Sequence, residues 1–249
     1  MGNIKLTLNP AYDRVSAFVS NLHAIFEDEG TVIYDKRNKV KLFDISGDTY
    51  VVKKYKRPML HQRIDYTFIR QSKARRAYNY ALRFRSLGID TPDAVACVEV
   101  YKFGLFSVGY FVSTYCSDPD LRILREEPKD DLIEAFAHFV LSMHEKGIMH
   151  GDLNLSNILY RPDAESMKGY HFTVIDTNRS HFLTTPSKRQ CLRNMVRISH
   201  VRPLNEQIVN YYAGMRGWNK EECYAAFVRM LDVFENRRRL KRKVKIKKK

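Results

Sequence analysis

One segment, residues 148–179, constrains what this chain can fold into more than any other, because polar residues at defined spacing stand between short apolar runs. His150, Asp152 and Asn157 have the spacing His-x-Asp-x-x-x-x-Asn, and a second apolar run ends at Asp176, nineteen residues after Asn157. If the apolar runs that follow Asn157 and precede Asp176 pair as a hairpin, these two side chains lie at neighbouring strand ends. The pattern therefore predicts a hairpin that brings the side-chain oxygens of Asn157 and Asp176 close to Asp152.

Side chains of these types are what phosphoryl transfer from ATP requires. One carboxylate takes the proton of the acceptor hydroxyl, while an asparagine and a second carboxylate hold Mg²⁺ on the phosphates. We therefore interpret Asp152 as the catalytic base and Asn157 and Asp176 as magnesium ligands. Each residue alone would be an ordinary turn or strand-end residue, but the combination of type, spacing and flanking apolar runs favours the catalytic interpretation.

The first half of the chain has the pattern of a small antiparallel sheet, because short β-rich runs alternate with turn residues. The predicted elements are a helix at 11–28, strands at 31–34, 40–43, 49–52, 94–100 and 108–114, and one inserted helix at 72–87 that stops at Gly88. Five strands with one inserted helix make a small lobe.

The second half has helical periodicity, which predicts helices at 129–147, 204–216 and 220–239. With 44% apolar residues in a chain of 249, a sizeable core can be buried, which excludes a wholly disordered chain. The fold class is α+β. The predicted organisation is a sheet-containing N-lobe at 1–115, a mostly helical C-lobe at 116–236 and a basic tail at 237–249, either a frayed helix or a disordered segment.

Lys53 ends the run Tyr50-Val-Val-Lys53, and the small lobe of a kinase carries at such a strand end the lysine that reaches the α- and β-phosphates. Successive strand residues point to opposite faces of a sheet. We therefore assign Lys53 to ATP and Lys54 to solvent or substrate. The alternative is a pair of solvated lysines.

The net charge of +15 is concentrated in two blocks. Residues 237–249 contain ten Lys and Arg and no acid, and residues 53–85 contain eleven Lys and Arg against Asp65 alone. Such blocks indicate a polyanionic partner: nucleic acid, anionic lipid headgroups or a phosphorylated glycan. Charge alone does not choose among them.

Residues 150–159 together with Val174-Ile-Asp-Thr-Asn-Arg179 resemble the lipopolysaccharide kinase (Kdo/WaaP) family. The segments at 52–58, 72–78 and 87–92 are similar to its short Bacteroidetes-type members. The resemblance covers about residues 30–200 and implies a protein-kinase-like two-lobed fold without an activation segment. It also implies phosphorylation of an inner-core sugar, 3-deoxy-D-manno-octulosonic acid (Kdo) or heptose, on lipid A, with ATP and Mg²⁺.

Carried over by position, the resemblance makes Asp152 the base, Asn157 and Asp176 the metal ligands and Lys53 the phosphate lysine. It makes residues 115–117 the hinge that meets adenine through backbone groups, so that Tyr115 and Ser117 are predicted to bind nucleotide. The alternative for Tyr115 and Cys116 is a buried strand end.

The chain departs from the kinase pattern in three places. No Gly-x-Gly-x-x-Gly is present, so cationic side chains or amides of the turn at 35–38 must hold the phosphates. No acid lies between Tyr66 and Ile89, so either another carboxylate, for which Glu99 is our candidate, pairs with Lys53 or phosphate alone does. Asn154 stands where protein kinases have lysine, which argues against a protein substrate.

From these features we expect an ATP- and Mg²⁺-dependent kinase acting on a hydroxyl of Kdo on lipid A at the cytoplasmic face of the inner membrane. Residues 237–249 are predicted to tether it to the anionic surface. The substrate's acidic groups are assigned to residues bordering the cleft. These are Lys54, Arg63, Arg70, Lys73, Arg75 and Arg76.

Three other functions are compatible with parts of the pattern. A RIO-like atypical kinase acting with RNA or ribosome precursors would also be basic, but the run 237–249 has no aromatic residue to stack on bases. An aminoglycoside- or choline-kinase-like enzyme would need an acidic cleft for its cationic acceptor. A pseudokinase that binds membranes would bind ATP without turnover.

Residues 1–8 lack the apolar core of a signal peptide, and no apolar stretch approaches the roughly 20 residues of a membrane-spanning helix. We therefore expect a cytoplasmic protein with peripheral membrane association. The four cysteines show no metal-ligand spacing and are predicted to be reduced and mostly buried.

Overall fold

The computed structural model describes residues 3–166 and 168–246. The chain divides into two compact units. Unit 1 comprises the residues up to Ser117 together with Asp176–Arg179, and unit 2 comprises Asp118–Ile175 together with the residues from Ser180 onward.

Unit 1 contains one six-stranded antiparallel sheet with the strand order β1-β5-β6-β4-β3-β2. Its strands are β1 (Asn3–Leu8), β2 (Thr31–Asp35), β3 (Lys39–Ile45), β4 (Asp48–Lys54), β5 (Ala94–Lys102) and β6 (Leu105–Thr114). The five predicted strands are confirmed. Strand β1 was missed, because it is a largely exposed edge strand whose pairing, with Leu6 opposite Val98, comes from a distant part of the chain.

Three α-helices belong to unit 1: α1 (Ser16–Ile25), α2 (Leu60–Phe68) and α3 (Lys73–Ser86). Helix α1 buries Phe18, Val19 and Leu22 in the core on one side of the sheet. Helix α3 begins at an N-cap, where the Ser72 hydroxyl accepts a hydrogen bond from the Arg75 N–H. The prediction of a single inserted helix was wrong, since α2 precedes α3. Helix α2 buries only Tyr66 and therefore lacks an apolar period directed at a core.

Unit 2 consists of helices and two small two-stranded antiparallel sheets. Its elements are α4 (Asp130–Glu145), β7 (Ile148–Met149), β8 (Ile158–Pro162), β9 (Tyr170–Val174), β10 (His181–Phe182), α5 (Lys188–Met195), α6 (Arg202–Met215) and α7 (Lys220–Ile246). The predicted helices correspond to α4, α6 and α7. Helix α5 was missed, because its eight residues are mostly polar.

The hairpin predicted after Asn157 is present: β8 pairs with β9, with Ile158 opposite Val174. At the C-terminus, α7 continues through the first part of the basic segment to Ile246. Residues 247–249 of the predicted tail lie outside the described residues.

Gly147 fixes the start of the loop that carries His150. It has a φ of 73°, and a Cβ atom there would lie 1.8 Å from the Leu183 carbonyl oxygen. The Leu183 N–H in turn donates to the Gly147 carbonyl over 2.8 Å. Only glycine combines this left-handed backbone with such a close approach, so helix α4 ends here and the chain turns directly into β7.

Within the described residues, no helix is both long and apolar enough to cross a bilayer. The four cysteines are free thiols, three of them buried, as predicted. Burial raises the pKa of the Cys97 thiol to about 12, so this group is an inert part of the core.

Candidate active site

His150 lies at the start of the catalytic loop, residues 150–157 between β7 and β8, and its ring is fully buried in unit 2. The Asp152 N–H donates to its Nδ1 over 3.3 Å, and its Nε2 lies 3.2 Å from the Ile175 carbonyl oxygen. A ring nitrogen that accepts a hydrogen bond carries no proton, so these contacts fit a neutral imidazole protonated on Nε2. His150 thus braces the loop against the residue before Asp176.

The Asp152 carbonyl organises the rest of the loop. It accepts the side-chain amides of Asn154, over 3.1 Å, and Asn157, over 2.9 Å. Because the Asn157 nitrogen is engaged in this way, its amide oxygen is the atom oriented for a different partner, and an oxygen is what Mg²⁺ requires. Immediately beyond the loop, the Ile175 N–H donates to the Asn157 carbonyl over 2.9 Å, one residue before Asp176.

Asn154, which stands where protein kinases have lysine, has a structural role. Its Oδ1 accepts hydrogen bonds from the Ser156 N–H, over 3.0 Å, and from the Ser156 hydroxyl. It thereby caps the short 3₁₀ turn at Leu155–Asn157. The substitution replaces a cation that could reach the γ-phosphate by a side chain that shapes the loop.

Arg197 is a candidate site residue that sequence reasoning missed. Its Nη1 lies 3.4 Å from the Asp152 carboxylate, and its guanidinium stacks 4.9 Å from the centre of the Phe234 ring on α7. Forty-five residues separate Arg197 from Asp152, and no motif links the two. Nothing in the sequence alone could have paired them.

The segment that carries Arg197 is attached to the catalytic loop on both sides. The Asn194 amide donates to the His150 carbonyl over 2.9 Å, and the Leu155 N–H donates to the Ile198 carbonyl over 3.3 Å. Asn194 also receives a hydrogen bond from the buried His144, 3.1 Å away. Arg197 therefore stands beside Asp152 on an anchored backbone.

In unit 1, Lys53 at the end of β4 forms an ion pair with Asp176, with its Nζ 2.7 Å from Oδ1. Asp176 has a φ of 59°, an unusual left-handed conformation for a residue other than glycine. Asn178 donates both to the Asp176 carboxylate and, over 3.3 Å, to the Tyr55 hydroxyl. Tyr55 is buried, and that burial and the nearby Asp176 charge raise its pKa well above the usual value.

The helix glutamate that usually anchors the strand lysine is replaced here by Asp176. Our candidate replacement, Glu99, was wrong: this buried carboxylate accepts hydrogen bonds from Arg75, at 2.8 Å and 3.2 Å, and from the Ser72 hydroxyl at 2.6 Å. Glu99 therefore anchors the first turn of α3 to β5, while Lys53 is held by the aspartate that follows β9.

Lys73 of unit 1 lies within electrostatic reach of several other cations. Lys73 has a pKa lowered mainly by burial and then by the charges of Arg37, Arg179 and Arg76, with Arg70 contributing least. The Arg76 Nε is buried and has no hydrogen-bond partner among the described residues. We call Arg37, Lys73, Arg76 and Arg179 the cation cluster. Arg37 belongs to the turn at 35–38, which stands where kinases have a glycine-rich loop.

The remaining cations assigned to substrate have structural partners. Lys54 pairs with Glu27, whose pKa falls to about 2 because Lys54 and Lys39 both hydrogen-bond to it. Arg63 donates to the Phe106 carbonyl over 2.7 Å, and Arg70 pairs with Asp65 at 2.8 Å. Arg75 is held by Glu99, as described above. Of the six residues, Lys73 and Arg76 alone belong to the cation cluster.

The predicted hinge follows β6. The Tyr115 N–H donates to the Thr49 carbonyl over 3.1 Å, and both Tyr115 and Ser117 are exposed. The Tyr115 N–H is therefore used within the sheet and does not serve adenine. A nucleotide contact through the Tyr115 carbonyl or through Ser117 stays a prediction.

Comparison with known proteins supports the sequence interpretation. The profile of the lipopolysaccharide kinase (Kdo/WaaP) family matches residues 112–211, a range that contains Asp152, Asn157, Asp176 and Arg197. This match confirms the resemblance predicted from the catalytic loop. No curated protein matches the chain by sequence.

Solved structures identify the fold. A WaaP protein in complex with acyl carrier protein is 19% identical with a TM-score of 0.62, over 94% of this chain and 97% of that chain. An aminoglycoside-3'-phosphotransferase of type VIII is 15% identical with a TM-score of 0.55, over 90% of this chain and 99% of that chain. The chain thus has a protein-kinase-like fold. The family match indicates its enzyme class, a phosphotransferase with an alcohol group as acceptor.

Proposed function

We propose that the chain transfers the γ-phosphoryl group of ATP to a hydroxyl of an inner-core sugar, Kdo, on lipid A. The observation that carries this proposal is the catalytic loop, where Asp152 is held by its own carbonyl contacts and by Arg197. The family match supports a core-sugar kinase in general. The Kdo acceptor, ATP as donor and the cytoplasmic face of the inner membrane as location are our proposals.

Asp152 orients the acceptor hydroxyl and accepts its proton as the phosphoryl group arrives. Asn157 supplies an amide oxygen and Asp176 a carboxylate, both of which fit Mg²⁺, an ion bound through few protein oxygens and completed by phosphates and water. When bound, Mg²⁺ neutralises charge on the transferring group. His150 keeps the loop in place and takes no part in proton transfer.

Lys53 and the cation cluster replace the glycine-rich loop as the grip on the ATP phosphates. Lys53 reaches the α- and β-phosphates while Asp176 and Asn178 fix its position. The buried Arg76 Nε offers an unused N–H donor to a phosphate oxygen. A triphosphate bound there would form charge-assisted hydrogen bonds with these cations.

Arg197 favours an acceptor with an acidic group close to the phosphorylated hydroxyl. Its guanidinium lies 3.4 Å from Asp152, so an acceptor hydroxyl at Asp152 brings its neighbouring substituents within reach of the guanidinium. A carboxylate or phosphate there would form a charge-assisted hydrogen bond, whereas an ammonium group would be repelled. Kdo is a sugar acid, and this supports it over the cationic aminoglycosides.

The acceptor is tested by incubating the purified chain with Mg²⁺ and γ-labelled ATP. The panel of acceptors is Kdo-lipid A, free Kdo, an aminoglycoside, RNA and ribosomal particles. We expect label in Kdo-lipid A and, more weakly, in Kdo. Label in RNA or ribosomal particles would instead favour a RIO-like kinase, and ATP binding without any labelled acceptor would favour a membrane-binding pseudokinase.

Residues 237–249 are proposed to hold the enzyme at the anionic membrane surface, since each Lys or Arg near such a surface contributes about 1 kcal/mol of attraction. Removal of 237–249 should weaken binding to phosphatidylglycerol vesicles and leave phosphorylation of soluble Kdo nearly intact. Equal vesicle binding by the truncated and full chains would contradict this role.

A further inference from the structure

Large apolar side chains are exposed around helix α2 to a degree found nowhere else in unit 1. Among the side chains that the structure describes, six large apolar ones are more than 60% exposed, and five of them lie here, the sixth being Leu240. The five are Met59 at 71%, Leu60 at 61%, Phe68 at 73%, Ile69 at 77% and Phe103 at 99%. With the partly exposed Ile64 they form what we call the α2 patch.

Helix α2 is fixed by its inner face, so its outer stripe is a stable feature. On the inner face, the Tyr66 ring packs edge-on against Phe106 with 5.4 Å between centres, and Arg63 donates to the Phe106 carbonyl over 2.7 Å. Leu60, Ile64 and Phe68 are spaced at i, i+4 and i+8, which places them on one stripe of the helix. All three side chains are exposed, so this stripe faces solvent.

Phe103 extends the apolar surface from a second element. It occupies the turn between β5 and β6 with a φ of 54°, a conformation that is costly for an aromatic residue. Arg63 donates to the carbonyl of the preceding Lys102 over 3.5 Å, which places this turn beside α2. The turn beside α2 therefore presents a phenyl ring that is 99% exposed and almost unpacked against the described residues.

The charges around the α2 patch are positive. Lys56, Arg57 and Lys102 are exposed near it. Asp65 is the only acid between residues 53 and 85, and it is neutralised by Arg70 at 2.8 Å. Apolar side chains bordered by Lys and Arg match the boundary between acyl chains and anionic headgroups, where the apolar groups enter the hydrocarbon and the cations contact lipid phosphates.

We propose that the α2 patch is a membrane-insertion surface, with Phe68 and Phe103 as its two aromatic anchors in an anionic bilayer. This goes beyond the proposed function, which assigns membrane contact to the electrostatic attraction of residues 237–249. Basic residues alone bind the headgroup surface, whereas the α2 patch penetrates it. Insertion requires neither ATP nor a sugar acceptor, so its test is independent of kinase activity.

The first experiment measures binding of the full-length protein to vesicles of phosphatidylglycerol and phosphatidylethanolamine, without nucleotide. The variant Phe68→Gln/Phe103→Gln should bind about tenfold more weakly or worse, because two apolar anchors are lost. The matched control is Val32→Gln/Ile33→Gln, which removes two exposed apolar residues of β2 and should bind like the wild type. Circular dichroism checks that all three proteins are folded.

The second experiment measures directly how deeply the α2 patch enters the bilayer. A tryptophan is introduced by Phe68→Trp, and the fluorescence of the one native tryptophan, Trp218, is subtracted by means of the wild type. Vesicles containing lipids brominated in the acyl chain should quench the new tryptophan and shift its emission to the blue. The matched control, Ile33→Trp on the exposed strand β2, should show neither change.

Three results would overturn the proposal. The first is that the Phe68→Gln/Phe103→Gln variant binds the vesicles as tightly as the wild type does, and the second is that the wild type does not bind the anionic vesicles. The third is that the Phe68→Trp protein binds the vesicles fully while lipids brominated in the acyl chain do not quench its new tryptophan. The last result would mean that the α2 patch contacts a different partner, such as a protein, while the headgroups are bound elsewhere.

Discussion

The catalytic loop holds its side chains mainly through bonds to its own backbone, whereas the basic residues of unit 1 depend on partners scattered over the fold. In the loop, the Asp152 carbonyl alone fixes both Asn154 and Asn157. In the basic region, Arg75 is held by Glu99 on β5 and Lys54 by Glu27 beyond α1. From this difference we propose a division of tasks. The local loop performs the chemical step, and the cation cluster, whose four members come from distant segments of unit 1, sets the affinity for phosphate.

The largest effect is expected for Asp152→Asn. It removes the base while preserving the shape of the side chain and the loop contacts made by the Asp152 backbone. We expect kcat to fall about 10³-fold, the usual contribution of a positioned general base, with ATP affinity changed less than about twofold. Transfer rates and ATP titration measure the two quantities. An unchanged kcat would remove Asp152 from the mechanism.

Arg197→Ala is expected to raise the KM for Kdo about tenfold, because the variant loses one charge-assisted hydrogen bond to the acceptor. The change in kcat should be smaller. The matched acceptor is Kdo with its carboxyl group reduced to an alcohol, for which wild type and variant should be similar. Equal losses with both acceptors would show that Arg197 only positions Asp152 and does not recognise the acid.

Arg76→Ala tests the cation cluster. Its guanidinium, of which the Nε is buried, is proposed to bind a phosphate, so the KM for ATP should rise about tenfold while kcat at saturating ATP stays within twofold. The matched control is Arg83→Ala, which removes an exposed arginine from the same helix α3. A similar KM for ATP in both variants would remove the cluster from the nucleotide site.

The smallest effect concerns the support beneath the catalytic loop. Burial lowers the pKa of His144 from 6.5 to about 4, so the folded protein keeps this ring neutral between these values while the unfolded chain protonates it. The unfolded state therefore binds more protons, and stability falls as the pH drops from about 6.5 to about 4, by up to about 3 kcal/mol.

Urea unfolding at about pH 7 and about pH 5 measures this loss. The variant His144→Asn should lose less stability between the two values than the wild type does. An identical pH dependence of the free energy of unfolding in the two proteins would show that His144 does not titrate in this way.

Local patterns made most of the fold and the catalytic loop predictable. The hairpin after Asn157, the helix that ends at Gly147 and Lys53 at the end of β4 follow from short-range periodicity and motif spacing. The contact between Arg197 and Asp152, and the pairing of Glu99 with Arg75 and not with Lys53, could not be predicted from the sequence, because both depend on contacts between distant segments. Helix α2 escaped prediction because its apolar stripe faces outward and so does not mark a core.

Single-turnover transfer from γ-labelled ATP to Kdo-lipid A, followed as a function of ATP concentration, tests the division of tasks in one assay. For the wild type we expect labelled lipid with a saturable rate. Asp152→Asn should lower the maximal rate without shifting the half-saturating ATP concentration, and Arg76→Ala should shift that concentration without lowering the maximal rate. Absence of labelled lipid with the wild type, or a lowered maximal rate for Arg76→Ala, would contradict the proposed division of tasks.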